Sequence, residues 1–517
     1  MDFYSHKGPE IFLKQHLQDV GDRSREIIYS KKINGIDENI LSDVAYLIGI
    51  LHDFGKYTTL FQDKLNGLRD KNDSSANHGL ISALFTFELV NEYIKKQNID
   101  NKQPYKYLSL MAYFVVKRHH LNLDDIEQDV NVERLFDAGF RNVSTQLKNL
   151  QVNKNQIKEE YDSLLCDTPL YNSFENIFDN LNNKYSKEIN NSSDIRELIE
   201  ELDKSLYQLK KEAKNIIYYL LVQLLYSVLI DSDKKHAGHI REIKRRELPN
   251  GLVEEYLKLS EFKDENKGNI NNIRRNIRKS VLENINNSEN VNQRIFTITA
   301  PTGTGKTLTS FSAALILRKK MKAELKMKHE PRIIYSLPFT SIIDQNFDVF
   351  DRVFIQMADF PGHESEYLLK HHHLSEIFYK TPHIDKEKDV DESLALIETW
   401  ESEIIVTTFV QLFHTLIGYK NRTLKKFHNI ANSIIILDEV QNIPIRYWKL
   451  VETILVGMSE HFNCRIILMT ATKPLIFQEG SYKELVSDYE KYFSMNELNR
   501  VRLIIDPIEK HIEEKFD

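Results

Sequence analysis

Cysteine is nearly absent: the 517 residues hold two, Cys166 and Cys464. Two thiols so far apart fit neither a disulfide framework nor a thiolate metal cluster, and such sparse use favours a reducing compartment. Long hydrophobic runs are missing too, since none approaches the ~20 residues that span a bilayer. The opening stretch, MDFYSHKGPE, lacks the basic-then-apolar order of a secretory leader. A soluble, cytoplasmic protein with no membrane partner is therefore expected. Positive charge is not in excess either. The net charge of −7 argues against non-specific coating of nucleic acid, although a binder can confine its positive charge to one groove. Three basic clusters, Lys234–Arg246, Arg274–Lys279 and Arg318–Lys328, are expected to be solvated helix faces. No internal repeat is found.

The length fits about three domains of roughly 100–200 residues each, and with 41% apolar residues the chain can bury full-sized cores. Over 1–245 apolar residues recur at three- and four-residue spacing, as in Ile40–Leu51, Leu80–Ile94, Tyr107–Val116 and Ile216–Ile230, which predicts an all-α domain. Within it Leu147–Lys204 is charged and Asn-rich, and exposed helices or a mobile insertion are expected there. Residues 246–292, where Pro249, Gly251 and Gly268 cluster, read as a linker and lead-in. The texture then changes. Apolar runs at 295–299, 332–337, 403–408, 433–437 and 465–470 alternate with helical stretches, which predicts a doubly wound α/β domain with a mainly parallel sheet over 293–475. Ligands sit at the carboxyl ends of the strands in such a fold. Residues 476–517 read as a connection to whatever comes next.

Ala300-Pro-Thr-Gly-Thr-Gly-Lys-Thr307 follows the first predicted strand and opens a helix. Gly303 and Gly305 permit a tight turn, so that the N–H groups of Thr302, Gly303, Thr304 and Gly305 can face phosphate oxygens. Lys306 is placed for the β- and γ-phosphates of ATP and the Thr307 hydroxyl for Mg²⁺. Asp438-Glu439 ends the strand SIIIL, where a Mg²⁺-binding aspartate and a water-polarising glutamate belong.

A second set of residues points to metal. His52-Asp53-Phe-Gly-Lys56 ends an apolar helix, supplying an imidazole and a carboxylate from a fixed backbone, and Gly55 is expected to let the chain leave abruptly. His16 lies on the first predicted helix, His78 in NHGLIS, and His119-His120 end another helix. Asp231, after LLYSVLI, is the natural second carboxylate. His6 competes with His16 for the first position; His16 is preferred because it sits one turn from apolar residues. His371-His372-His373 reads as a solvated loop. Imidazole and carboxylate without thiolate suit Mn, Fe, Co or Ni, in one ion or two, without selecting among them.

Taken together, these motifs resemble the CRISPR-associated type I helicase–nucleases, in which an HD-type nuclease precedes a superfamily 2 helicase. Asp438-Glu439-Val440-Gln441 is similar to the DEAD/DEAH-type box and Thr470-Ala471-Thr472 to the third helicase motif. Tyr335–Gln345 and Thr407–Gln411 resemble the intervening strand-end motifs. The histidines and aspartates match the HD order of helix-one His, HDxGK, isolated His, double His and distal Asp. The resemblance implies that His16, His52, Asp53 and Asp231 bind one metal. It implies that His78, His119 and His120 bind a second with Asp53 bridging, and that Lys56 neutralises charge on a scissile phosphate. It further implies cutting of single-stranded DNA, ATP-driven translocation, and recruitment by a crRNA-guided surveillance complex in antiviral defence. Only Lys473–Asp517 follow the third motif, too few for a second ATP-binding lobe. A fragment, or one half of a split protein, is expected, with weak ATP hydrolysis and no unwinding alone. Asn499-Arg500 resembles the lead-in to that lobe. Two other readings compete: a nucleotide phosphohydrolase, and a non-catalytic nucleic-acid-binding module.

Overall fold

The computed structural model describes residues 2–498, apart from 9, 132–134, 136–139, 186–191, 241, 250, 260–267, 288–292, 372–396, 472–475 and 479. The chain opens on a hairpin, β1 (Tyr4–Lys7) and β2 (Glu10–Phe12), where only helix was expected. Helices α1 (Leu13–Tyr29) and α2 (Glu38–Leu51) follow. The Asp37 side chain caps α2 by accepting from the Asn39 and Ile40 N–H groups. The two helices cross backbone to backbone: a Cβ on Gly49 would lie 2.6 Å from the Gly21 Cα. Any side chain at either glycine would force them apart, so this crossing fixes where their histidines meet.

Helices α3 (Gly79–Lys96) and α4 (Leu108–Arg118) complete the inner layer. The Asn-rich stretch is helical over most of its described residues, and these helices are partly buried. It forms α5 (Phe140–Gln151), α6 (Lys154–Leu164), α7 (Phe174–Tyr185) and α8 (Ser192–Glu212). Tyr161, Phe174, Phe178 and Tyr185 turn inward, while Tyr171 stays exposed. Tyr161 stacks on Phe174 at 4.4 Å and gives its hydroxyl to the Ile50 carbonyl at 2.8 Å. Helix α9 (Ile217–Ala237) then runs through the middle, buried along most of its length.

After α10 (Gly268–Asn286) the sheet begins with β3 (Ile295–Thr299), α11 (Lys306–Glu324), β4 (Ile333–Leu337) and α12 (Ile343–Phe354). It continues through β5 (Leu368–His371), β6 (Ile404–Thr408), α13 (Phe409–Ile417), β7 (Ile434–Asp438), α14 (Trp448–His461), β8 (Arg465–Thr470) and β9 (Lys483–Glu484). The order is β5-β6-β4-β7-β8-β3-β9 with every pair parallel, and the five inner strands are buried on both faces. Alternate residues feed two cores. Tyr335, Ile434 and Ile436 face one, while Ile334, Ile435 and Leu437 join a cluster that continues into the helical layers. Asn432 ties the halves by accepting from the Lys32 N–H and donating to its carbonyl. Arg318 is no solvated residue: it is fully buried, 2.7 Å from Glu403 and 3.2 Å from Glu330. Among the described residues no helix is long and apolar enough to cross a membrane.

Candidate metal centre and nucleotide loop

Because α1 and α2 touch through glycine, His16 and His52 bring their Nε2 atoms to 3.3 Å. Asp53, one residue beyond His52, stands between two groups of ligand atoms. Its Oδ2 lies 3.4 Å from His16 Nε2 and 3.3 Å from His52 Nε2. Its Oδ1 lies 3.0 Å from His78 Nε2 and 3.4 Å from His119 Nε2. His120 Nε2 is 3.0 Å from His78 Nε2. Two clusters result, Asp53-His78-His119-His120 and His16-His52-Asp53-Asp233, each with ligand atoms within 4.8 Å of one another.

The fourth member of the second cluster is Asp233, not Asp231. Helix α9 continues past Asp231 to Ala237, and two residues along a helix turn a side chain through about 200°. Asp233 Oδ1 therefore sits 3.4 Å from His16 and 3.7 Å from His52. Asp231 faces away, 3.1 Å from Lys235 and 3.5 Å from Arg23. Gly55 also differs from expectation. Its φ is not positive, and its lack of a side chain serves close approach, since a Cβ there would lie 2.7 Å from the His78 Cβ. His6 is outside both clusters, its ring 5.4 Å from that of His16. His371 accepts from Trp400 Nε1 on the edge strand, and His372 and His373 lie outside the described residues.

The ring orientations are fixed from behind. His52 and His119 each give Nδ1–H to a carbonyl one turn back, Gly49 at 2.7 Å and Val116 at 2.6 Å, so both Nε2 atoms face inward. His16 is held through a relay the sequence did not reveal. His236 Nε2 donates to Asp19 at 3.0 Å, so its Nδ1 must accept from His16 Nδ1 at 2.9 Å. Burial pushes His78 down to about 4, and burial with the neighbouring His119 pushes His120 to about 2. Both rings are thus neutral and offer lone pairs. Burial opposes a charge on His52, but Asp53 and Asp233 prevail and hold it up at about 10. His119 Nε2 is buried without a hydrogen-bond partner, and the Asp53 carboxylate is met only by the cluster's own imidazoles and Lys56. Imidazole and carboxylate atoms converging in this way, all hard or borderline donors, are the set a divalent transition ion takes. Lys56, buried, places its Nζ 2.6 Å from Asp53 Oδ2.

At the carboxyl end of β3 the loop turns through two left-handed glycines, Gly303 at φ 80° and Gly305 at 81°. Thr302, Gly303 and Gly305 form its exposed crest, and Thr304 anchors it by donating to the Pro301 carbonyl at 2.7 Å. Lys306 gives its ammonium to the Ala300 carbonyl at 2.9 Å and lies 3.6 Å from Glu439. Thr307 donates to Asn346 at 3.1 Å. Asp438, raised to about 6 by burial, accepts from the Tyr335 hydroxyl at 2.6 Å. Gln441 accepts from Thr470 at 2.8 Å; Thr472 lies outside the described residues, as do Asn499 and Arg500. Arg274, on α10, holds the Gly303 carbonyl at 2.9 and 3.0 Å. It belongs to a basic cluster expected to be solvated.

Over 453 residues the chain is 27% identical to the CRISPR-associated nuclease/helicase Cas3 of Haloferax volcanii, covering 83% of this chain and 45% of that protein. The chain is a Cas3 homologue. A family model described as type III restriction enzyme, res subunit, matches residues 259–475 of this chain. Among solved structures, T. fusca Cas3 aligns at 13% identity and a TM-score of 0.49, over 90% of this chain and 50% of that one. Its AMPPNP complex gives 14% and 0.48, over 94% and 51%. The homologue thus spans about half the length of the relatives it matches.

Proposed function

We propose that the helical half is a metal-dependent nuclease that cuts single-stranded DNA, and that the sheet half is the ATP-binding lobe of a DNA translocase. The division at 1–245 and 293–475 is part of this reading. One observation carries it: Asp53 turns its two oxygens to two separate groups of buried imidazoles. Cations held there would supply Lewis-acid charge to a phosphodiester and lower the pKa of a bound water. The chain's own groups do the rest. Gly49, Val116 and His236 keep three ligating rings aimed inward. Lys56 steadies Asp53 and can pass its charge to a phosphate oxygen as negative charge develops. In the sheet half, Lys306 and the loop N–H groups would hold the triphosphate, Thr307 and Asp438 Mg²⁺, and Glu439 the attacking water. Homology to Cas3 supports CRISPR antiviral defence as the setting, with a crRNA-guided surveillance complex as partner.

The test is cleavage of 5′-labelled single-stranded DNA by the purified chain in Mn²⁺, compared with Asp53→Ala. Wild type should cut and the variant should not. A nucleotide phosphohydrolase would instead release products from dNTPs and spare the DNA. Equal, metal-independent inactivity of both proteins would point to a non-catalytic module.

A further inference from the structure

A second basic cleft lies across the sheet from the nucleotide loop. The end of α1, the turn after it, residues 242–245 and the amino edges of β4, β6 and β7 enclose about 450 Å³. That is within the roughly 300–1,000 Å³ of small-ligand sites. Arg332 and Asn429 line it just before β4 and β7, whereas the nucleotide loop follows the far end of β3. A five-residue strand spans about 17 Å, so the two places are distinct.

Each acid lining this cleft has a cation partner, and at the exposed rim Glu26 pairs with Lys328 only at 3.8 Å. Lys235 pairs with both Glu401 and Asp231, and Arg23 pairs with Glu242. Glu403 is shared by Arg245 and Arg318. Two cations make no direct ion pair among the described residues, although Glu401 and Glu403 lie near enough to Arg332 to favour its charge. Arg332 gives its guanidinium to the Glu401 carbonyl at 3.1 Å and the Asn429 side chain at 2.9 Å, and to no carboxylate among the described residues. Lys31 is 8% exposed, lines the cleft, and has no acceptor for its ammonium among the described residues. Its neighbours are like charges: burial, then Arg332 and Arg245, press it well below the usual lysine range. Burial and like-charged neighbours disfavour a charge on Lys31, and an anion seated between it and Arg332 would restore that charge and gain both groups as donors.

We propose that this cleft binds a small phosphate-bearing ligand, a dianion or more, gripped by Lys31 and Arg332 with Lys328 at the rim. A guanidinium fork beside an ammonium suits phosphate oxygens. Lys31 comes from the helical half and Arg332 from the sheet, so the ligand bridges the junction and stabilises it by mass action.

The probe is sodium pyrophosphate, titrated calorimetrically into the full chain in EDTA so that no metal carries it. Wild type should take up two equivalents and Lys306→Ala one. Adding Lys31→Met to Lys306→Ala should weaken the remaining site at least about tenfold, the worth of a charged hydrogen bond. Lys328→Ala, fully folded because the side chain is exposed, should weaken it several-fold. Arg332→Gln provides a further variant if Lys31→Met melts early. Displacement by AMP identifies a nucleotide as the source, and resistance to AMP a free polyphosphate. Loss of all binding in Lys306→Ala, unchanged affinity in Lys31→Met and Lys328→Ala, or displacement by a single-stranded oligonucleotide alone overturns the proposal.

Discussion

Two aspartates on opposite faces of α9 should separate cleanly when each is made asparagine. Asp233 has its Oδ1 within 3.7 Å of both His16 and His52, so its charge acts on anything held between them. At ~4 Å and an effective dielectric near 20, one pair of unit charges is worth ~4 kcal/mol. Part of that is lost to desolvating the carboxylate, so Asp233→Asn should weaken Mn²⁺ binding about a hundredfold while the fold persists. Asp231→Asn should do the reverse. Lys235 keeps Glu401 and Arg23 keeps Glu242, so the loss falls below the ~3–5 kcal/mol of an orphaned buried charge. We expect roughly 1–3 kcal/mol in urea unfolding and metal affinity within about threefold of wild type. Calorimetric titration with Mn²⁺ and elemental analysis of dialysed protein read the first quantity, and denaturant midpoints the second. Metal retained by Asp233→Asn but lost from Asp231→Asn would refute the assignment.

Gly49→Ala places a methyl 2.6 Å from the Gly21 Cα and should cost about 1–3 kcal/mol of stability. It should also spread His16 from His52, lowering Mn²⁺ occupancy in the same preparation. Glu403 is held down at about 2 against an ordinary 4.5: burial opposes its charge, but Arg245 and Arg318 outweigh it. Its folded pKa is the lower one, so its contribution is complete above pH ~4.5 and fades as pH falls toward 2. The urea midpoint should drop over that window in wild type and much less in Glu403→Gln. Tyr335→Phe removes the donor to the buried Asp438 oxygen and should cost about 1–3 kcal/mol in EDTA. Thermal melts should show that deficit shrinking when Mg²⁺ and ATP are added; a deficit indifferent to them would place Asp438 outside the nucleotide site.

Much of this arrangement was legible in the residues, and the gaps have physical causes. The strands β3, β4, β6 and β8 lie within the apolar runs and β7 passes its run by Asp438 alone, because strands buried on both faces are continuous in hydrophobicity. The edge strands β5 and β9 escaped because four and two residues carry too little pattern. The imidazoles could be named because histidine before aspartate at a helix end, with others spaced along the chain, is uncommon by accident. Asp231 reads as the ligand, and Asp233 gives no signal, because the apolar run stops at Ile230 while the helix does not. A helix end is written in its hydrogen bonds, not in its last hydrophobic residue. His236 carried no signal, since its role lies in a contact 220 positions away in sequence with His16.

The apolar cluster that runs unbroken from the helical layers into one face of the sheet has a bearing on how the protein can be cut. A Cβ on Gly457, in α14, would meet Ile216 at 2.6 Å and Leu220 at 3.5 Å, so the two halves mesh there as tightly as neighbours within one core. Excising residues 1–245 would lay the α9 side of that mesh open to water. Such a fragment should aggregate or demand detergent, and its inactivity would say nothing about the chemistry of the intact chain.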